Sequence, residues 1–335
     1  MEHAADPADR YHRISVVVPV YSGEKTLAAV VEEVLALPTD WTSPDGHLLG
    51  ITEVLLVWDR GPDRSDRVVR ELAAADQRVR PIWLTRNFGQ HAATLAGMAS
   101  SGGDWVVTID EDGQHDVGAI PRMLDRALAE RAAVVYARPL GPMPHGAVRN
   151  AYSRLAKLSV GGLLGKNDAT RYHSFRLVIG EIARSVAAYA GSGVYLDVAL
   201  GWVTQDVTVC PVAPRATDGR RSGYTFRSLL SHYWRLVISS GTGALRMVSM
   251  TGVALAAIGF VGAILLTTTV AAGFGPDVRG WASMVVLLLL TSGATLFSLG
   301  IIAEYLGAAV NMAMGKPLYL IGSDPESGPL GPDDA

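Results

Sequence analysis

The sequence predicts an α/β chain: a doubly wound, mostly parallel sheet, followed by an interfacial amphipathic helix and two transmembrane helices. Three observations predict it. From Ile14 to Ala137, β-branched runs alternate with helical patterns, the rhythm of a parallel sheet with crossover helices. A short apolar run, Trp105–Ile109, ends abruptly in Asp110-Glu111-Asp112, and the carboxyl ends of strands are where an open α/β sheet holds its ligand. Near the C-terminus, Met247–Ala272 and Trp281–Ala303 hold no charged residue over 26 and 23 positions, enough for each to cross a bilayer as a helix.

The elements follow in order. Residues 1–13 are polar, mixed in charge and expected to be disordered. They contain no apolar core of a signal peptide. Ile14–Val20 is the first strand. Gly23–Leu37 has apolar residues at helical spacing and Pro38 stops it. Residues 39–50 read as a loop rich in Pro, Gly, Asp and Ser. Ile51–Trp58 is a strand, Ser65–Ala75 a helix capped by Asp63 or Ser65, and Val79–Leu84 a strand. His91–Ser101 is a helix of small residues ended by Gly102-Gly103. The central strand Trp105–Ile109, the helix Ile120–Glu130 and the strand Ala133–Ala137 complete the alternation. Beyond it, Arg149–Leu164, Ile182–Ala190 and Tyr195–Trp202 read as helices, and Ser174–Ile179 and Val207–Val212 as strands. Tyr224–Ile238 sets apolar and aromatic residues against Arg227, His232 and Arg235, the pattern of a helix lying in a membrane interface.

These elements divide the chain into a sheet domain at 14–222, a juxtamembrane helix at 223–245, a two-helix hairpin at 246–310 and a tail at 311–335. The short loop Gly273–Gly280 carries only Asp277 and Arg279. Arg246, Lys316 and five arginines between 215 and 235 lie on the other side of the hairpin, which the positive-inside rule places in the cytosol. The expectation is a multi-pass plasma-membrane protein with a cytoplasmic catalytic domain. Composition agrees: 49% of residues are hydrophobic and 18% charged, and mean hydropathy is +0.24. A net charge of -3 gives no sign of a nucleic-acid partner. Cys210 is the one cysteine, so there is no internal disulfide framework. No Gly-x-Gly-x-x-Gly follows the first strand, which argues against a dinucleotide-dependent oxidoreductase.

Asp110 and Asp112 are the candidates to carry the chemistry, the alternative being a polar turn with solvated acids. Two nearby carboxylates repel, and a divalent cation relieves the repulsion while creating a site for phosphate oxygens. Arg149 and Ser153, spaced i, i+4 on a helix, share one face and suit a phosphate.

In order along the chain stand VVVPVYSGEKTL at 16–27, LTRNFGQHAATLAG at 84–97, TIDEDGQHD at 108–116, SFRL at 174–177, RRSGYTFRSLL at 220–230 and AEYLGAAVNMAMGKPLYL at 303–320. With these motifs the chain resembles the polyprenyl-phosphate glycosyltransferases, a membrane branch of the family-2 glycosyltransferases with a GT-A fold, over about residues 14–322. The resemblance implies an inverting transfer of sugar from a nucleotide-sugar donor to a polyprenyl phosphate lipid, with Mg2+ or Mn2+ on Asp110 and Asp112. It places Pro19, Tyr21, Glu24, Asp59, Arg86, Asn87 and Gln114 on the donor. It places Arg138, Arg149, Ser153 and Arg176 on the acceptor phosphate. Where the family commonly has Asp-Asp-Gly-Ser, this chain has Trp58-Asp59-Arg60-Gly61. Trp58 either stacks on a base or packs, and His115 is a lesser metal-ligand candidate. Asp197 lies where many soluble relatives place a general base. A lipid phosphate is already largely anionic at neutral pH, its second pKa being about 6, so Asp197 is expected to be structural or to orient an arginine. Two other readings stay open: a haloacid-dehalogenase-type phosphatase, and a non-catalytic membrane scaffold. The hairpin is compatible with a homo-oligomer, and neither sugar, nucleotide nor lipid length is encoded in any spacing.

Overall fold

The structure is a computed structural model that describes residues 10–140, 172–191, 195–213, 215, 281–314 and 317–327, with isolated positions between 252 and 272. Its strands are β1 His12–Val20, β2 Trp41–Thr42, β3 Leu48–Trp58, β4 Val79–Leu84, β5 Trp105–Thr108, β6 Val134–Pro139, β7 Arg176–Ile179, β8 Val207–Val212 and β9 Ile321–Gly322. The helices are α1 Leu27–Leu35, α2 Ser65–Ala75, α3 Gln90–Ser100, α4 Ile120–Glu130, α5 Gly180–Tyr189, α6 Leu196–Val203 and α7 Trp281–Ala313.

The strands form one sheet in the order β8-β6-β7-β5-β1-β3-β4-β9, with β2 beside β3. β1 pairs in parallel with β3 and β5, and β3 with β4. This inner block is buried on both faces: Val16, Val17, Val18, Leu55, Leu56, Val106 and Val107 are all 0% exposed. That explains its unbroken β-branched runs, since a parallel sheet covered on both sides has no polar face to alternate with.

Two features correct the expectation of a mostly parallel sheet followed by a tail. β7 inserts antiparallel between β5 and β6. Because β7 runs antiparallel to β5, it begins at the carboxyl end of β5, which places Ser174 and Arg176 there, with Thr108 facing Arg176. The expected tail contains β9, which pairs antiparallel with the end of β4. The expected loop 39–50 likewise contains β2, antiparallel to β3.

α3 lies unusually close to the sheet. A Cβ on Gly97 would stand 2.3 Å from Val17 Cγ1 and 3.0 Å from Val57 Cγ2, so only glycine permits this approach.

α7 runs for 33 residues. Most of its described large apolar side chains face outward, Met284 being 73% exposed, Leu296 69% and Phe297 63%, while Ile301 is buried. Among the described residues, no helix is long and apolar enough to cross a membrane. The juxtamembrane segment 223–245, nearly all of the first apolar stretch, and the helix expected at Arg149–Leu164 lie outside the described residues.

Candidate active site

Parallel pairing brings the carboxyl ends of β1, β3, β4 and β5 to one edge, and the segments that follow them line a cavity of about 480 Å³. Pro19 and Tyr21 come from the β1 end, Asp59 from β3, Asn87 and Gly89 from β4, and Asp110, Glu111 and Asp112 from β5. Four carboxylates thus face one space.

Each acid is held differently. Asp59, 3% exposed, accepts the backbone N–H groups of Phe88 and Gly89 at 2.7 and 2.8 Å. Burial pushes its carboxyl above the usual range, and the two amides pull the other way. Glu111 accepts the N–H groups of Tyr21 and Ser22 at 2.9 and 2.8 Å. Burial raises its pKa too, again opposed by those amides. Hydrogen bonds to a charged acceptor contribute roughly 1.5–3 kcal/mol each, so the two acids fix the loops after β4 and β1. Asp110 accepts from Gln90 Nε2 at 2.7 Å and from Ser174 Oγ at 2.6 Å. Asp112 Oδ1 accepts the N–H of Gln114 at 3.1 Å.

The sequence had signalled Asp59 through its motif position. It had given Glu111 no role, because nothing in its spacing announces that its oxygens reach two amides some 90 residues away. Glu24, Arg86 and Gln114, expected on the donor, do not line this cavity. The Glu24 carboxylate accepts the N–H of Arg64 at 3.4 Å. The Arg86 guanidinium lies 4.0 Å from the Phe88 ring centroid. Gln114 contributes its backbone to Asp112. Trp58 is 7% exposed and meets Trp83 edge-on at 5.5 Å, so of the two roles expected for it the structure shows packing.

A second cavity, about 440 Å³, adjoins the first and shares Pro19, Gln90 and Asp110 with it. Its other walls include His91, Thr94, Tyr172, His173, Ser174, Arg176, Tyr195 and Asp197. Arg176 is 4% exposed and pairs with Asp197, 3% exposed, at 2.5 Å. Tyr136 donates its hydroxyl to the same carboxylate at 2.9 Å. Burial works against the Arg176 charge, but Asp197, Tyr136, Tyr195 and Asp110 together outweigh it and raise the guanidinium pKa. Asp197 thus orients an arginine. His115 accepts the N–H of Asp110 at its Nδ1, 3.1 Å away, and stacks on Phe175 at 5.1 Å. Burial drives its pKa down. Its role here is to brace the Asp110 backbone. Arg138 is exposed at the end of β6, whereas Arg149 and Ser153 lie outside the described residues.

Among the described residues no group of three or more His, Cys, Asp or Glu side chains is arranged to hold a metal ion by itself. The donor set at Asp110 and Asp112 is instead two carboxylates from alternate residues on one cavity wall. That set fits a hard cation which takes the rest of its shell from phosphate oxygens and water.

The chain has relatives among known proteins. The sequence pattern of Glycosyl transferase family 2 matches residues 15–185. Among curated proteins, the chain is 29% identical over 314 residues to an undecaprenyl-phosphate 4-deoxy-4-formamido-L-arabinose transferase of Pseudomonas aeruginosa, covering 92% of this chain and 89% of the relative. The enzyme of the same name from Yersinia pestis is 25% identical over 312 residues, 92% of each chain. Among solved structures, glucosyl-3-phosphoglycerate synthase from Mycobacterium tuberculosis, in complex with phosphoglyceric acid, overlaps 69% of this chain and 80% of its own. The identity there is 18% and the TM-score 0.47.

Proposed function

The chain belongs to glycosyl transferase family 2, and from that premise we propose that it is an inverting enzyme that moves a sugar from a nucleotide-sugar to a polyprenyl phosphate at the cytosolic face of the plasma membrane. The observation that carries the donor half is the convergence of Asp59, Asp110 and Asp112 on one cavity at the strand ends. The acceptor half is supported by relatives named as undecaprenyl-phosphate transferases along nearly the whole chain.

In this reading Pro19, Tyr21, Asp59 and Asn87 receive the nucleoside, and the two amide clamps fix the loops that shape its pocket. Asp110 and Asp112 would hold Mg2+ or Mn2+, which would neutralise the departing nucleoside diphosphate, a contribution typically worth several kcal/mol at the transition state. Gln90 and Ser174 fix both oxygens of Asp110, so that carboxylate needs little reorganisation. An acceptor phosphate oxygen forms the new bond to the anomeric carbon as the bond to the diphosphate breaks. The phosphate is ionised already, so no proton has to be removed. Arg176 is neutralised by Asp197 and shapes the second cavity. Arg138 and Arg149, with Ser153, then hold the acceptor phosphate.

Membrane seating is supported by the outward apolar face of α7 and by the exposed Val261, Ile264 and Leu265 of the first stretch. Monomeric soluble proteins rarely expose so much contiguous apolar surface. In this reading the apolar stretches 247–272 and 281–303 cross the membrane, with the 273–280 loop outside.

The test is a donor screen: purified protein, undecaprenyl phosphate, Mn2+ or Mg2+, and a panel of radiolabelled sugar nucleotides. One donor should label the lipid, and excess chelator should abolish labelling. Phosphate release from an aryl phosphate with no transfer would favour a phosphatase. Metal binding with no transfer from any donor would favour the scaffold.

A further inference from the structure

The last described segment, 317–327, comes back to the catalytic sheet. β9 pairs with Trp83 and Leu84 of β4, and Thr85 donates its N–H to the Leu320 carbonyl at 3.1 Å. Leu318 and Tyr319 are partly buried against the cluster that also receives Phe88. The segment therefore splints the end of β4 at the point where the chain enters the Arg86–Gly89 loop, and Asn87 and Gly89 of that loop line the donor cavity.

One arginine fastens the segment. Arg70 on α2 reaches Asp324 in a fork, Nε to Oδ2 at 2.9 Å and Nη2 to Oδ1 at 2.8 Å. Its Nη1 also meets Asp66 and Glu326, both at 2.9 Å. Its guanidinium sits 5.0 Å from the Trp83 ring centroid, and Trp83 meets Trp58. The residue after Trp58 is Asp59, which holds the Phe88 and Gly89 amides. The loop is thus held from two sides, by Asp59 in front and by the splinted strand behind. Asp324 lies below the usual carboxylate range because it accepts from Arg70.

We propose that Arg70 and Asp324 are positioning residues for donor binding: their ion pair locks the C-terminal segment onto β4 and so holds the 85–89 loop in its donor-binding shape. The lock also ties that loop to α7. Only residues 314–319 separate the helix end from Leu320, at most roughly 20 Å of extended chain.

This inference rests on the donor reading of the first cavity, and the experiment separates the two. Full-length protein in lipid nanodiscs is titrated with UDP, GDP and CDP in the presence of Mn2+, and hydrogen exchange is followed in the nucleotide-free state. Asp324→Asn and Arg70→Met should each weaken binding of the preferred nucleotide roughly three- to tenfold, as loss of a part-exposed ion-pair network would. Asp324→Glu should bind as the parent does. The Thr85, Phe88 and Gly89 amides should exchange faster in Asp324→Asn, while those of β1 should not. Unchanged affinity, or unchanged exchange at 85–89, in both variants overturns the lock. Should the parent bind no nucleotide, the donor reading fails, and the exchange arm alone decides the inference.

Discussion

In the first cavity Asp59, Asp110, Glu111 and Asp112 face one space, and no arginine or lysine stands among its described lining residues. Next door, across a wall that includes Asp110, the single buried carboxylate of Asp197 lies against Arg176 and the Tyr136 hydroxyl. Burying an unpaired charge is costly, and the two cavities meet that cost by different means. The second settles its charge within the protein. The first settles part of it with backbone amides at Asp59 and Glu111, and among its described lining residues none supplies a cation to Asp110 and Asp112. Internal neutralisation makes a stable wall. External neutralisation makes a site whose charge is completed only with its ligand.

The largest effect should come from removing the unsettled charge. Asp110→Asn should lower transfer at least a hundredfold, by the several kcal/mol a metal contributes, with the thermal midpoint unchanged. A variant that keeps full activity, or a parent that works in excess chelator, would erase the distinction between the cavities. The second test targets the settled pair. Arg176→Met should destabilise the fold by about 3–5 kcal/mol, because Asp197 is left charged and buried. Arg176→Met with Asp197→Leu should recover most of that loss. Thermal melts of both variants decide it, and a double variant as unstable as the single one would refute pairing as the source.

A smaller effect belongs to the acceptor. If the second cavity's arginine is spent on Asp197, the lipid phosphate relies on others. Arg149→Ala should raise the acceptor KM roughly ten- to a hundredfold, the value of a charge-assisted hydrogen bond, and leave donor KM within twofold. Equal rises in both would place Arg149 outside the acceptor site. The smallest effect is acid sensitivity. Burial, with His115 beside it, pulls the His173 imidazole down to about 4, opposed by Asp110, while Arg176 adds to the depression. An unfolded histidine titrates near 6.5, so the unfolded chain binds this proton first. Stability is complete above about pH 6.5 and declines as pH falls toward 4. By pH 5.5 the loss should be about 1 kcal/mol, and His173→Gln should flatten it. A melting profile that declines equally in the variant would assign the sensitivity elsewhere.

The parallel block was legible because burial on both faces leaves its mark directly on composition, as in Ile14–Val20 and Trp105–Thr108. Ser65–Ala75, Val79–Leu84, Ile120–Glu130 and Val207–Val212 fall where pattern alone placed them. Asp110 and Asp112 were legible as cavity residues because the carboxyl end of a buried parallel strand opens onto the ligand edge of the sheet. What escaped depends on distant partners. β9 is two residues long and borrows its pairing from β4, far back in the chain, so no local periodicity announces it. Glu111 looked like a solvated neighbour of two important acids until the β1 loop closed over it. Trp58 sits in a motif that suggests ligand contact, and the Trp83 ring beneath it decides for packing.

Gly97 has a consequence for how the site can vary. α3 carries Gln90 at its first turn, and Gln90 is one of the two groups that hold Asp110. The helix can seat that amide only because nothing projects from its underside toward Val17 and Val57. The reach of a side chain at the mouth of the pocket is therefore gauged two turns away, by a missing methyl group on the helix face that meets the sheet. Larger residues at 97 act as shims, and a lineage could retune this enzyme's grip on its reacting centre without altering any residue that touches it.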